Sequence, residues 1–173
     1  AEDAIRDSSV SGGQTCAVPL CGNNASGNYF GGISLGYSSN NTVGWNDATA
    51  NGHIEYIIPE VPDHEGVGIL LFGSSDNIIE DNNVTAGIRE GIMLNEVYNY
   101  PPTELIPSSN NIISGNTVTA NYFWGMSFWG SCNNNTVREN NVTANGIGIG
   151  IWGNDTNNMI CHNSFIGNGQ QAD

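Results

Sequence analysis

Few side chains in this sequence have the types and spacing for chemistry, and the most suggestive run is Asp63-His64-Glu65, with Arg89-Glu90 further along. Carboxylates flanking an imidazole can bind calcium or a transition metal, or work as general acid and base. The same acids facing Arg89 would equally make a solvated ion pair of little energetic weight. His53 and His162 have no comparable company. The other reactive groups are four cysteines, Cys16, Cys21, Cys132 and Cys161, and six Asn-x-Ser/Thr sequons, at Asn24, Asn40, Asn83, Asn134, Asn141 and Asn154. Sequons accept glycans in a suitable secretory system. Four cysteines and no lysine suit a protein outside the cytosol.

The balance of charge narrows the partners. Three arginines stand against 17 acids, a net charge of −14 over 173 residues. Such a surface repels nucleic acid, anionic lipid and acidic polysaccharides unless a cation bridges them. Calcium or neutral sugars suit it better. No run approaches the roughly 18 apolar residues of a membrane span. The chain opens Ala1-Glu2-Asp3 without a basic and apolar leader, so any export signal is read as already removed. An extracellular or cell-surface location is expected.

The elements that must position these groups come from a repeat. One block recurs as TVGWNDATAN at 42–51, IIEDNNVTAG at 78–87, IISGNTVTAN at 112–121, TVRENNVTAN at 136–145 and MICHNSFIGN at 159–168. Its fixed asparagines, Asn46, Asn82, Asn116, Asn140 and Asn163, are spaced by 36, 34, 24 and 23 residues. A second block keeps the same clock: GGISLG, VGILLFG, EGIMLN, WGMSFWG and GIGIGIWG. Short runs of alternating apolar residues at a period near 23 are one turn of a parallel solenoid. The reading is therefore all-β: a single-stranded right-handed parallel β-helix of about five coils spanning 23–168. Alternation puts Ile33/Leu35, Ile69/Leu71, Ile92/Leu94, Met126/Phe128 and Ile149/Ile151 inside on the first strand. Val43/Ala48, Ile79/Val84, Ile113/Val118, Val137/Val142 and Ile160/Phe165 face inward on the others. The repeated asparagines are expected to stack as a ladder of side-chain amides. Excess residues at 53–65 and 97–107 hold five of the six prolines and read as loops leaving the coil. Residues 1–22 read as an arm and a partial coil beginning near Cys16, and 169–173 as a tail.

The blocks S-S-N-N-T-V-x-x-N, G-I-x-L and N-x-V-T-A-N resemble the Asn-rich repeats of the NosD-like, CASH-type β-helix proteins. The resemblance covers roughly residues 23–168 and rests on the positions that build the coil. It therefore implies the fold far more than a function. The family's range, as the resemblance implies it, runs from sugar-binding modules and polysaccharide-active enzymes to surface proteins.

Placed on this frame, the outward positions of the first strand are Ser34, Leu70, Met93, Ser127 and Gly150, none of them an acid, a base or a metal ligand. No catalytic set is assigned, and the reading leans away from an enzyme. Phe72, Trp129 and Trp152 share one outward place in their coils, with Tyr98 and Tyr100 offered from the second loop. Such a column suits either a subunit interface or stacking of neutral sugar rings. Thr49, Thr85, Thr119 and Thr143 form another outward column, explained by β-propensity. Cys21 and Cys161 share one angular position at opposite ends of the stack. That placement allows a bridge between stacked copies, and a local Cys16–Cys21 bridge with Cys132 and Cys161 free or paired is the alternative. The leading expectation is a self-assembling extracellular structural protein whose coils stack end to end. A glycan-binding module is second and a polysaccharide-active enzyme third.

Overall fold

A computed structural model describes residues 9–11, 19–52, 66–99 and 104–172. Every strand of the solenoid pairs in parallel and in register with a neighbouring coil, and the inner coils pair on both sides. Three sheets result. The first holds the longer strands: Gly31–Gly36, Val67–Phe72, Ile92–Asn95, Trp124–Gly130 and Ile147–Gly153, flanked by Ser9–Ser11 and Gln170–Ala172. The second is Pro19–Cys21, Thr42–Gly44, Ile78–Glu80, Ile112–Ser114, Thr136–Arg138 and Met159–Cys161. The third comprises Asn83–Thr85, Thr117–Thr119, Asn141–Thr143 and Ser164–Ile166, extended by bridges from Asp47 to Asn24 and Asn83. Two segments differ from the sequence reading. Residues 9–11, read as arm, already pair with Ser34–Gly36, and 170–172, read as tail, pair with Ile147–Ile149. Their polar Ser-Val-Ser and Gln-Gln-Ala sequences carry no strand periodicity, and register with the neighbouring coil recruits them.

The core is the expected one. Leu35, Val43, Ile69, Leu71, Ile79, Val84, Ile92, Leu94, Ile113, Val118, Met126, Phe128, Val137 and Val142 form one dry cluster inside the three sheets. Burial weakens toward the last coil, where Ile160 is 38% exposed and Phe165 and Ile151 pack only partly against the cluster.

What holds the corners is amide chemistry. Three asparagine columns run along the stack: Asn41-Asn77-Asn111-Asn135-Asn158, Asn23-Asn46-Asn82-Asn116-Asn140-Asn163, and Asn121-Asn145-Asn168 continuing the line of Asn28 and Asn51. In each, the backbone N–H and side-chain Nδ2 of one asparagine both donate to Oδ1 of the next coil's asparagine, as from Asn82 to Asn116 at 3.0 and 2.9 Å. Nδ2 also donates to a carbonyl of the coil before, as from Asn116 to Ile79 at 2.9 Å. The ladder thus has a direction. It satisfies backbone groups where the chain turns and no strand partner exists. Each turn also needs a left-handed residue, and the same place recurs at Ala50, Ala86, Ala120 and Ala144, with φ of 54–57°.

The third column is interrupted where Gly87 stands in the asparagine place, its N–H donating to Asn121 Oδ1. Asn51 Nδ2 is buried there without a partner. Gly87→Asn should supply the missing acceptor and stabilise the fold by about 1 kcal/mol. Asn116→Ala should cost about 2–4 kcal/mol, because it orphans buried donors of Asn82 and the Ile79 carbonyl. Exposed Asn141→Ala should stay within about 0.5 kcal/mol of the wild type. Urea unfolding of the three variants measures all of these shifts.

Candidate functional site on the outer face of the long-strand sheet

The outer face of the first sheet carries three columns. The middle one is Ser34, Leu70, Met93, Ser127, Gly150, as the alternation requires. One flank is Gly36, Phe72, Asn95, Trp129, Trp152. The other is Gly31, Val67, Glu90, Trp124, Ile147, fixed by the pairings of Gly31 with Val67 and Trp124 with Ile147. This last column breaks simple alternation. Gly68, Gly91 and Gly125 lie over Val84, Val118 and Val142 of the core, so these glycines and the residues after them both face inward. Glu90 and Trp124 are thereby turned onto the outer face. An acid does stand on that face, contrary to the expectation from the middle column alone.

Phe72, Trp129 and Trp152 share a column as expected, but they do not form a row of separate exposed rings. Trp129 and Trp152 stack on each other, centroids 4.6 Å apart with planes 22° from parallel. Trp124 meets both edge-on, at 5.7 and 5.0 Å, and Phe123 stacks behind Trp124 at 5.6 Å. The coil spacing of about 4.8 Å is itself a ring-stacking distance, so in-register tryptophans close on one another. Trp152 folds over Gly150, where a Cβ would fall 1.8 Å from the indole. Phe72 and Trp129 pack on a small second apolar cluster of Val67, Leu70 and Met93. All five rings are half-buried. The indole N–H groups of Trp124 and Trp129 and the hydroxyl of Ser127 have no protein hydrogen-bond partner.

Beside the rings lies the Arg89–Glu90 pair. The Arg89 Nε is 3.5 Å from the Glu90 carboxylate, which is almost wholly buried, and the guanidinium sits 5.5 Å over the Phe123 ring. Arg89 therefore answers Glu90 and an aromatic face together.

At the other border, a column of hydroxyls changes character. Ser38 and Ser74 donate their N–H groups to the hydroxyls of Ser74 and Ser108 in the next coil, each at 3.0 Å. Their places in the last two coils are taken by Cys132 and Asp155. Burial, aided by the nearby Asp155 and Glu96 carboxylates, pushes the Cys132 thiol up to about 12. It is a core residue and no nucleophile. Burial chiefly, and Glu96 in addition, raises the Asp155 carboxyl to about 6. Glu96 itself folds over Gly130, whose missing side chain makes room for it.

Tyr98 is exposed in an antiparallel hairpin of Val97–Asn99 with Glu104–Ile106. It makes no ring contact with the column among the described residues. Asp63, His64, Glu65, Tyr100 and Cys16 lie outside the described residues. Among the described residues, no group of three or more His, Cys, Asp or Glu is placed to hold a metal, and Cys21, Cys132 and Cys161 are free thiols. The Thr column is real, with Thr49 to Thr85 at 3.1 Å and Thr119 to Thr143 at 3.0 Å between hydroxyls. All six sequon asparagines are exposed, whereas the ladder asparagines are largely buried.

The in-register coils, three parallel sheets and amide ladders define a parallel solenoid. The family model for right-handed β-helix regions matches residues 5–165, and the chain belongs to that family. Among solved structures it is similar to a mutant of the periplasmic alginate epimerase AlgG, with a TM-score of 0.61 and 21% identity. The match covers 77% of this chain and 27% of that one, so the chain spans about a quarter of the epimerase's length. No curated protein matches the sequence. No helix of the described residues is long and apolar enough to cross a membrane.

Asp155 yields a pH test. Its carboxyl titrates near 6 in the fold against 3.8 ordinarily. Between those values the unfolded chain has lost a proton that the fold retains, so stability falls as pH rises through about 4 to 6. Asp155→Ser restores the hydroxyl found at Ser38, Ser74 and Ser108. The variant should melt above the wild type at pH 7, with a clearly smaller gap at pH 4. Thermal unfolding at the two pH values checks it.

Proposed function

We propose that this protein is an extracellular or cell-surface β-helix of the NosD-like, CASH-type branch that binds neutral glycans on the outer face of its long-strand sheet. The observation that carries this reading is the contiguous half-buried patch of Phe72, Trp124, Trp129 and Trp152 on a rigid, in-register sheet. Aromatic rings held this way offer apolar faces and edges to the C–H faces of sugars at little entropic cost. Charge favours a neutral ligand. The chain's net charge is −14, and Arg89, beside the patch, is already engaged with Glu90 and Phe123. An acidic polymer such as alginate, the substrate class named for the structural neighbour, would meet repulsion here. The exposure of all six sequons supports glycosylation of the same surface protein in a secretory host.

Trp129→Ala should weaken binding to a neutral glycan found on an array by about 1–2 kcal/mol, roughly 5–30-fold. Tyr98→Ala, in the hairpin, should leave it unchanged. Isothermal titration with both variants reads the effect. A wild type with no ligand on a broad neutral array would sink the glycan reading.

A further inference from the structure

The two end coils of this 173-residue chain fit each other, and we infer that copies of this chain stack head to tail through them. Three independent registers carry the inference, and it does not depend on what the outer face binds.

The first is the long-strand sheet. Gln170–Ala172 covers only the first half of the strand below it, pairing at Ile147 and Ile149. At the opposite end, Ser9, Val10 and Ser11 pair with Ser34, Leu35 and Gly36. Followed coil by coil, those places become Gly150, Ile151 and Trp152. One end therefore supplies a strand against 147–149 and the other a strand that fits 150–152. Set on the same level, the two half-strands complete one strand of six without overlap. Neither alone covers the edge.

The second is the amide ladder. Each rung runs from an N–H and Nδ2 to the next coil's Oδ1, always in the same sense. The column from Asn23 to Asn163 therefore ends in donors at Asn163 and begins in an acceptor at Asn23. These are opposite in kind, as head-to-tail joining requires and head-to-head joining forbids. Asn168 is already capped by the Gln171 Oε1 at 3.0 Å, and the column of Asn158 begins only at Asn41, so the joint rests on the column of Asn23 and Asn163.

The third is the second sheet. Pro19–Cys21 and Met159–Cys161 hold the same three places, since Cys21 pairs with Gly44, then in turn Glu80, Ser114, Arg138 and Cys161. A second copy's 19–21 laid on 159–161 would cover Ile160, and Cys21 would stand one coil, about 4.8 Å, from Cys161. That lies inside the Cα separation a disulfide accepts, about 4.4–6.8 Å. Both thiols are free, Cys21 exposed and Cys161 half-buried. Such a heterologous contact does not close on itself, so it extends into a filament.

The test uses the 173-residue chain with Cys16→Ser and Cys132→Ser, so that only the two column thiols remain. To this background either Cys21→Ser or Cys161→Ser is added. With oxidised glutathione, the two thiols of a joint form one S–S bond, and their two protons and electrons leave as two reduced glutathione thiols. The parent should give a ladder of multimers on non-reducing electrophoresis. Each added variant alone should give monomers, and an equimolar mixture of the two should give dimers that dithiothreitol dissolves. Sedimentation velocity of the untreated wild type should show average mass rising with concentration. Cross-linked dimers from either variant alone would overturn the head-to-tail register. A wild type that stays at monomer mass throughout, and a mixture that fails to cross-link, would each overturn the joint.

Discussion

Every coil depends on one constraint: strands must lie in register along the stack, because a chain that turns three corners per coil leaves backbone donors that no strand can satisfy. The asparagine ladder meets that constraint. An amide can accept two donors and donate two protons, and Asn116 uses both capacities between the coil above and the coil below. Once the ladders are fixed, the inward residues have no freedom of register, and the Val, Ile and Leu columns fill themselves. The left-handed alanines at one corner carry a backbone cost of about 1–2 kcal/mol each. Ladder bonds and core burial must offset it in every coil.

The same constraint shapes the outer face. Parallel register places like side chains one coil spacing apart, so any two aromatics in a column are bound to interact. Trp129 and Trp152 consequently form a stack with half-buried rings. The site on this face is therefore made by the fold's period as much as by the residues. Glycines make it possible. Gly150 yields its place to the Trp152 ring and Gly130 to the Glu96 side chain.

The ladder and the core were legible in the sequence because each repeats one residue type at one spacing, as at Asn82, Asn116 and Asn140. The Cys21–Cys161 column was readable by counting the same steps, although Gly44, Glu80, Ser114 and Arg138 stand between its ends. Other features were hidden where the repeat changes its alphabet. The Ser38-Ser74-Ser108 column continues as Cys132 and Asp155, and no identity search along the chain joins serine to aspartate. Glu90 and Trp124 were missed on the outer face because two consecutive residues face inward at the adjacent corner, a break that strict alternation does not anticipate. Ring orientation was out of reach as well. The column of Phe72, Trp129 and Trp152 follows from counting, but the fold of Trp152 over Gly150 depends on the room a glycine leaves.

Ladder contacts are the same whether successive asparagines are separated by 23, 24, 34 or 36 residues. Bond geometry is indifferent to what the chain does between rungs. For an evolving gene this makes the coil a unit of currency independent of its neighbours' content. A whole coil can be duplicated or lost, and a loop of any length can bud from a corner, while Asn46 still finds some other coil's amide waiting at the right height. Length and ornament can then drift freely under selection, while most asparagine places are held and a single one can lapse, as at Gly87.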